Sequence, residues 1–379
     1  MFYKNARIFT SDFQFHFGGF EVTADGRFGE ILPENIPEDA IDLKGATVIP
    51  GLIDIHNHGN SNADFSDGDY NGLENMARYL LKNGITSFAP TSMTLPYPVL
   101  EKAFATARQL VDTQPADCAR LMGIHMEGPY FCEKKKGAQN GAYLKTPDFD
   151  GFKKLYDGCG GLVRIVDVAP ELPGAEEFIS QAKNLCTVSF AHTDSDYDHA
   201  KAGILAGATH VTHLFNAMPN IHHRNPGLIP AAVENKAVRA EIICDGQHVH
   251  PATVRLAFSM MGADRMILIS DALRCCGMPE GEYSLGGQQA FLKDGLARLG
   301  DGTIAGSASN LYHGLQKALE FGIPEEDALR AVTYNPACAL GAEDKVGTIA
   351  TGLFADFLVC SPDYKEKQVF FGGKALTNA

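Results

Sequence analysis

Apolar and polar positions follow two different rhythms along the chain. Over the first fifty residues the apolar runs are short, as at 6–10 and 13–17, and the turn signal Ala24-Asp25-Gly26-Arg27 follows them. No helical period is visible there, which predicts short strands of a small β element. From Thr47 onward, strand-length apolar runs alternate with helix-length amphipathic stretches about eight times. The predicted strands are 47–54, 87–90, 120–127, 162–169, 187–192, 210–215, 241–245 and 266–270, with early helices at 73–83 and 99–111. This is the rhythm of a (β/α)8 barrel, although a doubly wound sheet alternates in the same way. Beyond the eighth strand come a glycine-rich hairpin at 283–302, helices at 310–321 and 325–332, and β texture again at 346–349 and 357–360. Chain ends often lie close together, so the tail is expected to pair with the first fifty residues. The expected architecture is α/β: a TIM-type barrel over 51–335 and a small β-sandwich built from 1–50 and 336–379.

The positions of polar side chains separate the barrel from the doubly wound sheet. Metal-ligand residue types stand at the C-terminal ends of five predicted strands. The first ends in Asp54-Ile55-His56-Asn57-His58, where a period of two brings both histidines to one face, able to reach one ion together. The third closes with His125-Met126-Glu127-Gly128-Pro129, which offers Glu127 as a ligand carboxylate and leaves His125 as a hydrogen-bonded histidine behind it. The fifth delivers His192. In the sixth, His210 and His213 differ by three positions and so face opposite ways on a strand; His213, nearer the C-terminal end, is the ligand candidate and His210 is packing. The eighth is followed by Asp271, where a catalytic carboxylate of a barrel would stand. Each residue taken singly is also what a solvated loop, a packed histidine or a helix N-cap would show. Five strands bringing such residues to one rim predict a metal site. Nitrogen and carboxylate ligands without thiolate suit Zn, Fe, Mn or Co, and the residues do not choose among them.

Composition narrows the partners. The 379 residues are 45% hydrophobic and 21% charged, as expected of a globular chain, and 32 Lys plus Arg against 46 Asp plus Glu give a net charge of -14. With no basic block to track a phosphate backbone, nucleic acid is not an expected partner. No stretch approaches the ~18 apolar residues of a spanning helix, and the opening segment lacks an export signal, so no membrane partner and a cytoplasmic location are expected. Nine scattered cysteines without a CxxC pair suggest reduced thiols and exclude a zinc ribbon.

At these residues the chain resembles the amidohydrolase superfamily, and more narrowly the N-acetylglucosamine-6-phosphate deacetylases. The superfamily marks are Pro50-Gly51-Leu52-Ile53-Asp54-Ile55-His56-Asn57-His58-Gly59 and Asn335-Pro336-Ala337 with Gly347, Gly352 and Ala355-Asp356. The narrower marks include His125-Met126-Glu127-Gly128-Pro129, Gly137-Ala138-Gln139, Thr212-His213-Leu214-Phe215-Asn216-Ala217-Met218, Asp245-Gly246-Gln247-His248, Ser270-Asp271-Ala272 and Ala305-Gly306-Ser307.

The resemblance implies that Glu127, His192 and His213 hold one divalent metal, while His56 and His58 help bind a second with Glu127 between the two, giving one or two ions per subunit. The end of strand four, 166–169, has no lysine of the kind many two-metal relatives carboxylate. A cation that lowers the pKa of water toward ~7 would supply hydroxide for attack on an acetamide carbonyl. Asp271 would take the proton and return it to the departing amine. Asn216, Ala217, Ala138 and Gln139 are implied at the substrate, with Arg224 and His248 on its phosphate or hydroxyls and the 305–307 turn closing over the sugar. In homodimeric relatives such an arginine comes from the neighbouring subunit, so a homodimer acting on a phosphorylated amino sugar is expected. The alternatives are an N-acetylgalactosamine 6-phosphate deacetylase or another amidohydrolase such as a cyclic-amide hydrolase, and, in a different class, a non-catalytic barrel scaffold. Arg274-Cys275-Cys276, three residues after Asp271, has no role in any of these readings.

Overall fold

The computed structural model describes residues 1–376. Eight parallel strands form the barrel: β1 (Leu52–Asn57), β2 (Ile85–Ser92), β3 (Ile124–Tyr130), β4 (Val163–Val168), β5 (Thr187–Phe190), β6 (His210–Val211), β7 (Arg239–Ile243) and β8 (Met266–Ile269). They pair in sequence order, and a parallel bridge between Asn57 and Ala272 joins the first strand to the exit of the last. Side chains reinforce that seam. Ser270 donates its hydroxyl to Asp54 at 2.6 Å, and Asn57 Nδ2 donates to Ser270 Oγ at 3.0 Å. All of these groups are buried, where a paired carboxylate is worth more than at a surface.

The helices follow from their apolar spacing. In α1 (Tyr70–Lys82), Leu73, Met76, Ala77, Leu80 and Leu81 make one buried stripe, and Asp69 caps the first turn by accepting from Gly72 N at 3.0 Å. The stripes of α1 and its neighbours pack on the outer faces of the strands in one large apolar layer. Inside the barrel lies a separate core of Ile53, Ile55, Ile165, Ile243, Ile267 and Ile269, packed with Ala337, Leu340 and Val346. Those last residues come from the helix Tyr334–Leu340 and the turn after it, so the division expected at 336 runs through an element that packs under the barrel.

Four predicted strands differ from the structure, the simplest being 120–127, which is a short strand Arg120–Leu121 beside β2 followed by β3. The run 47–54 is two strands in two sheets: Thr47–Pro50 pairs with Phe357–Cys360 and with Phe2–Phe9, and only from Leu52 does the chain enter the barrel. Gly51 makes the crossing; a Cβ there would lie 2.1 Å from Thr86 Oγ1. An unbroken apolar run carries no mark of such a change of sheet. The strand expected at 210–215 ends at Val211. At 346–349 only Ile349 bridges to Thr10, because the chain is bent at Gly347 (φ 102°) over Ala337.

Both termini build one eight-stranded mixed sheet, in the order Lys374–Ala375, Lys367–Phe371, Phe357–Cys360, Thr47–Pro50, Phe2–Phe9, Phe15–Val22, Phe28–Ile31, with Ile41–Asp42 beside Phe2–Phe9. It encloses its own aromatic core: Tyr3 stacks on Phe20 at 4.9 Å and Phe357 on Phe370 at 4.4 Å. The end of the expected 336–379 segment, 377–379, lies outside the described residues. The glycine-rich stretch expected as a hairpin is a four-stranded antiparallel sheet, Gly281–Leu285, Gln288–Lys293, Leu296–Leu299 and Ile304–Ser307, tied to the barrel through a bridge from Ser307 to Ala272. All nine cysteines are unpaired. Among the described residues no helix is long and apolar enough to cross a membrane.

One ion pair pins the terminal sheet to the barrel. Arg7 grips Glu325 with two bonds of 2.8 and 2.7 Å, and Tyr364 donates to the same carboxylate at 2.6 Å. Burial pushes the Glu325 carboxyl up, but the bonds from Arg7 and Tyr364 outweigh it and hold the group below its usual 4.5. A depressed acid contributes stability above its unfolded pKa and loses it as pH falls through the folded value. Glu325→Gln should therefore cost about 1 kcal/mol near neutral pH, a figure discounted for the partial exposure of the pair. In urea melts the gap to the wild type should close as the pH is taken well below the carboxylate range, and a gap that stays constant would contradict this assignment.

Candidate metal centre

The site is assembled from the places where strands stop. His58 follows β1 directly, while His192, His213 and Asp271 each stand two residues past the ends of β5, β6 and β8. Those three share a backbone device: His192 (φ 45°), His213 (φ 32°) and Asp271 (φ 47°) are all in the left-handed region. For residues with a Cβ this costs about 1–3 kcal/mol each and persists only where the surroundings impose it. Here the neighbouring backbone does so. Cys132 N donates to His192 O at 3.0 Å, Asn216 N to His213 O at 2.9 Å, and Asp271 N to His56 O at 2.9 Å, while Asp271 O accepts from Ser307 N at 2.8 Å.

Six side chains expected from the sequence converge. Glu127 Oε1 lies 3.1 Å from both His192 Nε2 and His213 Nε2, and these two nitrogens are 3.2 Å apart. Beside them, His56 Nε2 and His58 Nε2 are 3.3 Å apart, and Asp271 Oδ1 is 3.5 Å from the first and 3.3 Å from the second. Glu127 stands between the two groups, its Oε2 3.3 Å from His58 Nε2. In each group the ligand atoms lie within 4.8 Å of one another and all six residues are buried.

The hydrogen bonds behind the histidines test whether a cation fits. His58 Nδ1 faces Thr91 O at 3.1 Å, His192 Nδ1 faces Lys135 O at 2.9 Å, and His56 Nδ1 faces Glu241 Oε2 at 3.0 Å. Each partner is an acceptor only, so each Nδ1 carries a hydrogen and each Nε2 lone pair is aimed inward. Lone pairs converging at 3.2–3.3 Å among carboxylate oxygens need a positive charge between them. The donor set therefore fits one or two divalent cations. Without a cation protons serve: burial lowers the His213 ring, but Glu127 outweighs it and pushes it up to about 9. Burial opposes the charge of His58 too, yet Asp271 and Glu127 raise it well above the usual histidine value. Glu127 sits well below the carboxylate range because His192, His213 and His58 overcome its burial.

A second buried layer underlies the ligands. Glu241 accepts from His56 with one oxygen and faces His210 Nε2 at 3.0 Å with the other. His125 spans Ile55 O at 2.9 Å and Asp167 Oδ1 at 3.0 Å, and Thr212 donates to the same Asp167 oxygen. Both ring nitrogens of His125 thus face acceptors; burial works against a charged ring, but Asp167 and Glu241 push it up to about 9. Glu241 and Asp167 went unassigned from the sequence. The signal was there: each is a charged residue inside an otherwise apolar strand, Ala240-Glu241-Ile242 and Val166-Asp167-Val168.

Above the ligands opens a cavity of about 380 Å³, lined by Ala138, Gln139, Asn216, Ala217 and His248 among the expected substrate residues. His248 Nδ1 bonds Asp245 at 2.7 Å, and its buried Nε2 has no partner on the cavity wall. Gln139 is largely committed: its Nε2 donates to Glu127 Oε2, and its Oε1 accepts from Thr94 N at 2.7 Å. The 303–306 segment of the four-stranded sheet forms one wall, and Lys134 and Lys135 reach another. Arg224 is not part of the lining; it is exposed, with Nη1 2.7 Å from His223 Nε2. The unassigned Arg274-Cys275-Cys276 segment is a strut. Its carbonyls accept from Asn62 N and Ser61 N, and Arg274 pairs with Asp67 at 2.8 Å.

Known proteins share this fold. The model of the amidohydrolase family matches residues 47–376. An N-acetylglucosamine-6-phosphate deacetylase of Bacillus subtilis is 36% identical over 322 residues, 84% of this chain and 81% of its own length. An N-acetylgalactosamine-6-phosphate deacetylase of Escherichia coli O157:H7 is 29% identical over 93% of each chain. The solved structure of a Mycobacterium smegmatis N-acetyl-D-glucosamine-6-phosphate deacetylase mutant, in complex with N-acetyl-D-glucosamine-6-phosphate, superposes with a TM-score of 0.93 at 31% identity, covering 100% of this chain and 99% of that one. On its fold, its matched span and these identities, the chain belongs to the amidohydrolase family and, within it, to the N-acetylglucosamine-6-phosphate deacetylase family.

Proposed function

We propose that this hydrolytic enzyme cleaves the acetamide of N-acetylglucosamine 6-phosphate, releasing acetate and glucosamine 6-phosphate. The observation that carries the reading is the position of Asp271: a buried carboxylate at the rim of the cavity, within 3.5 Å of His56 and His58 and beside the Glu127, His192, His213 cluster. In this reading Glu127, His192 and His213 would hold one cation, and His56 and His58, beside Glu127, would help hold a second. When bound, the cation supplies Lewis acidity to the amide carbonyl and acidity to water. Asp271 Oδ1 takes the proton of the attacking water and delivers it to the amine nitrogen as the C–N bond breaks, one group acting as base and then acid. His56 and His58, with burial opposing them, hold that carboxyl below its usual range, so it starts the cycle able to accept.

The substrate is held by the cavity wall. His248 Nε2 faces the sugar or the developing oxyanion, kept in place by Asp245, and Asn216 and Ala217 offer polar contacts beside it. Arg224 is assigned to the phosphate across a homodimer interface, which fits its exposure on the single chain and reconciles an anionic substrate with a net charge of -14. The barrel carries the chemistry, with the sheet from both chain ends as the small β domain, and a substrate of this kind places the enzyme in the cytoplasm.

Purified protein should release acetate from N-acetylglucosamine 6-phosphate faster than from the galactosamine epimer; no acetate from either would end the reading. Chelation should abolish turnover, and re-addition of Zn, Fe, Mn or Co, with elemental analysis of the same samples, identifies the metal and its number. Asp271→Asn should lower kcat about 10²–10⁴-fold while the metal stays bound; unchanged turnover would refute the role given to Asp271.

A further inference from the structure

One charged group buried as deeply as any near the site is one the mechanism does not use. Glu241 is 0% exposed in the middle of β7. Its two oxygens are divided between two histidines: Oε2 faces His56 Nδ1 at 3.0 Å and Oε1 faces His210 Nε2 at 3.0 Å. We propose that Glu241 is a positioning residue that fixes the tautomer and ring angle of His56, committing its Nε2 lone pair to the second cation position shared with His58. This rests on the two-cation reading above and deepens it.

The argument is one of available acceptors. An imidazole without a partner at Nδ1 is free to carry its hydrogen on either nitrogen, and with the hydrogen on Nε2 it cannot ligate. His58 and His192 have their Nδ1 hydrogens fixed by backbone carbonyls, at Thr91 and Lys135. A backbone carbonyl cannot be mutated away. For His56 the acceptor is a side chain, and it is the carboxylate of Glu241 alone. The first cation position depends on no such link, since Glu127, His192 and His213 make no contact with Glu241 among their hydrogen bonds. Selective weakening of one site in a pair is therefore the signature.

The metal-stripped full chain, its Glu241→Met and its Glu241→Gln variants should be titrated with Zn²⁺ against a chromophoric chelator, with elemental analysis after desalting. Methionine keeps the length of the side chain and removes both acceptors. It should weaken the second ion about 10–100-fold and leave the first at wild-type affinity. Glutamine should recover most of the loss, because its one carbonyl can still accept from His56 while His210 takes the other tautomer. Two ions at wild-type affinity in Glu241→Met would overturn the proposal, as would equal weakening of both ions with no recovery in Glu241→Gln, which marks a merely structural role. A wild type holding a single ion would instead overturn the two-cation reading and this inference with it. If Glu241→Met does not fold, ¹⁵N-histidine spectra of the zinc-loaded wild type decide: a hydrogen on His56 Nδ1 supports the proposal, and one on Nε2 overturns it.

Discussion

Everything at the rim of this barrel depends on compensation of buried charge. Glu127 is 2% exposed and would be expensive to ionise alone. It is held between histidine nitrogens at 3.1–3.6 Å on two sides, with Gln139 donating to its second oxygen. Three of its neighbours are in turn fixed from behind, His58 and His192 by backbone carbonyls and His56 by Glu241, while His213 Nδ1 has no such partner. The polar groups form a stacked system in which most of the buried atoms of one layer bond to the next, and such networks matter because an unpaired buried polar group is costly. The isoleucine core and the helix Tyr334–Leu340 supply the packed support on which that system stands.

The separation of tasks within the barrel follows from this. Side chains buried completely, such as His125, Asp167, His210 and Glu241, bond only to protein. Those that line the cavity, His58, Glu127, His192, His213 and Asp271, bring their ligand atoms together at its floor. The antiparallel sheet ending at Ser307 is bonded to Asp271 itself, so the wall of the cavity and the carboxylate proposed as base and acid are positioned by one backbone connection.

Much of this was legible in the sequence because barrels place their chemistry at strand ends. Apolar runs counted the strands, and His56, His58, Glu127, His192, His213 and Asp271 stood out as polar residues where such runs stop; all six converge. What was not legible has physical causes. The strand at 47–54 changes sheets at Gly51, and hydrophobicity does not register a change of partner. At 210–215 the strand stops at Val211, since His213 needs a left-handed backbone to turn inward, and residue type gave no warning. Glu241 and Asp167 were visible as charges inside apolar strands, but only the fold says which histidine each one meets. Arg224 was singled out by its basic loop, and within a single chain it stays at the surface.

The left-handed backbone at His192, His213 and Asp271 has an evolutionary consequence. These are positions at which a side chain of any kind is disfavoured, so the architecture retains them against its own conformational preference. Glycine at any of them would relieve that backbone strain and at the same time strip a buried charge of its partner, as Glu127 would lose His192 or His213. Loss of one member alone is therefore opposed by the charges it leaves behind, so the strained positions and the buried carboxylate hold one another in place.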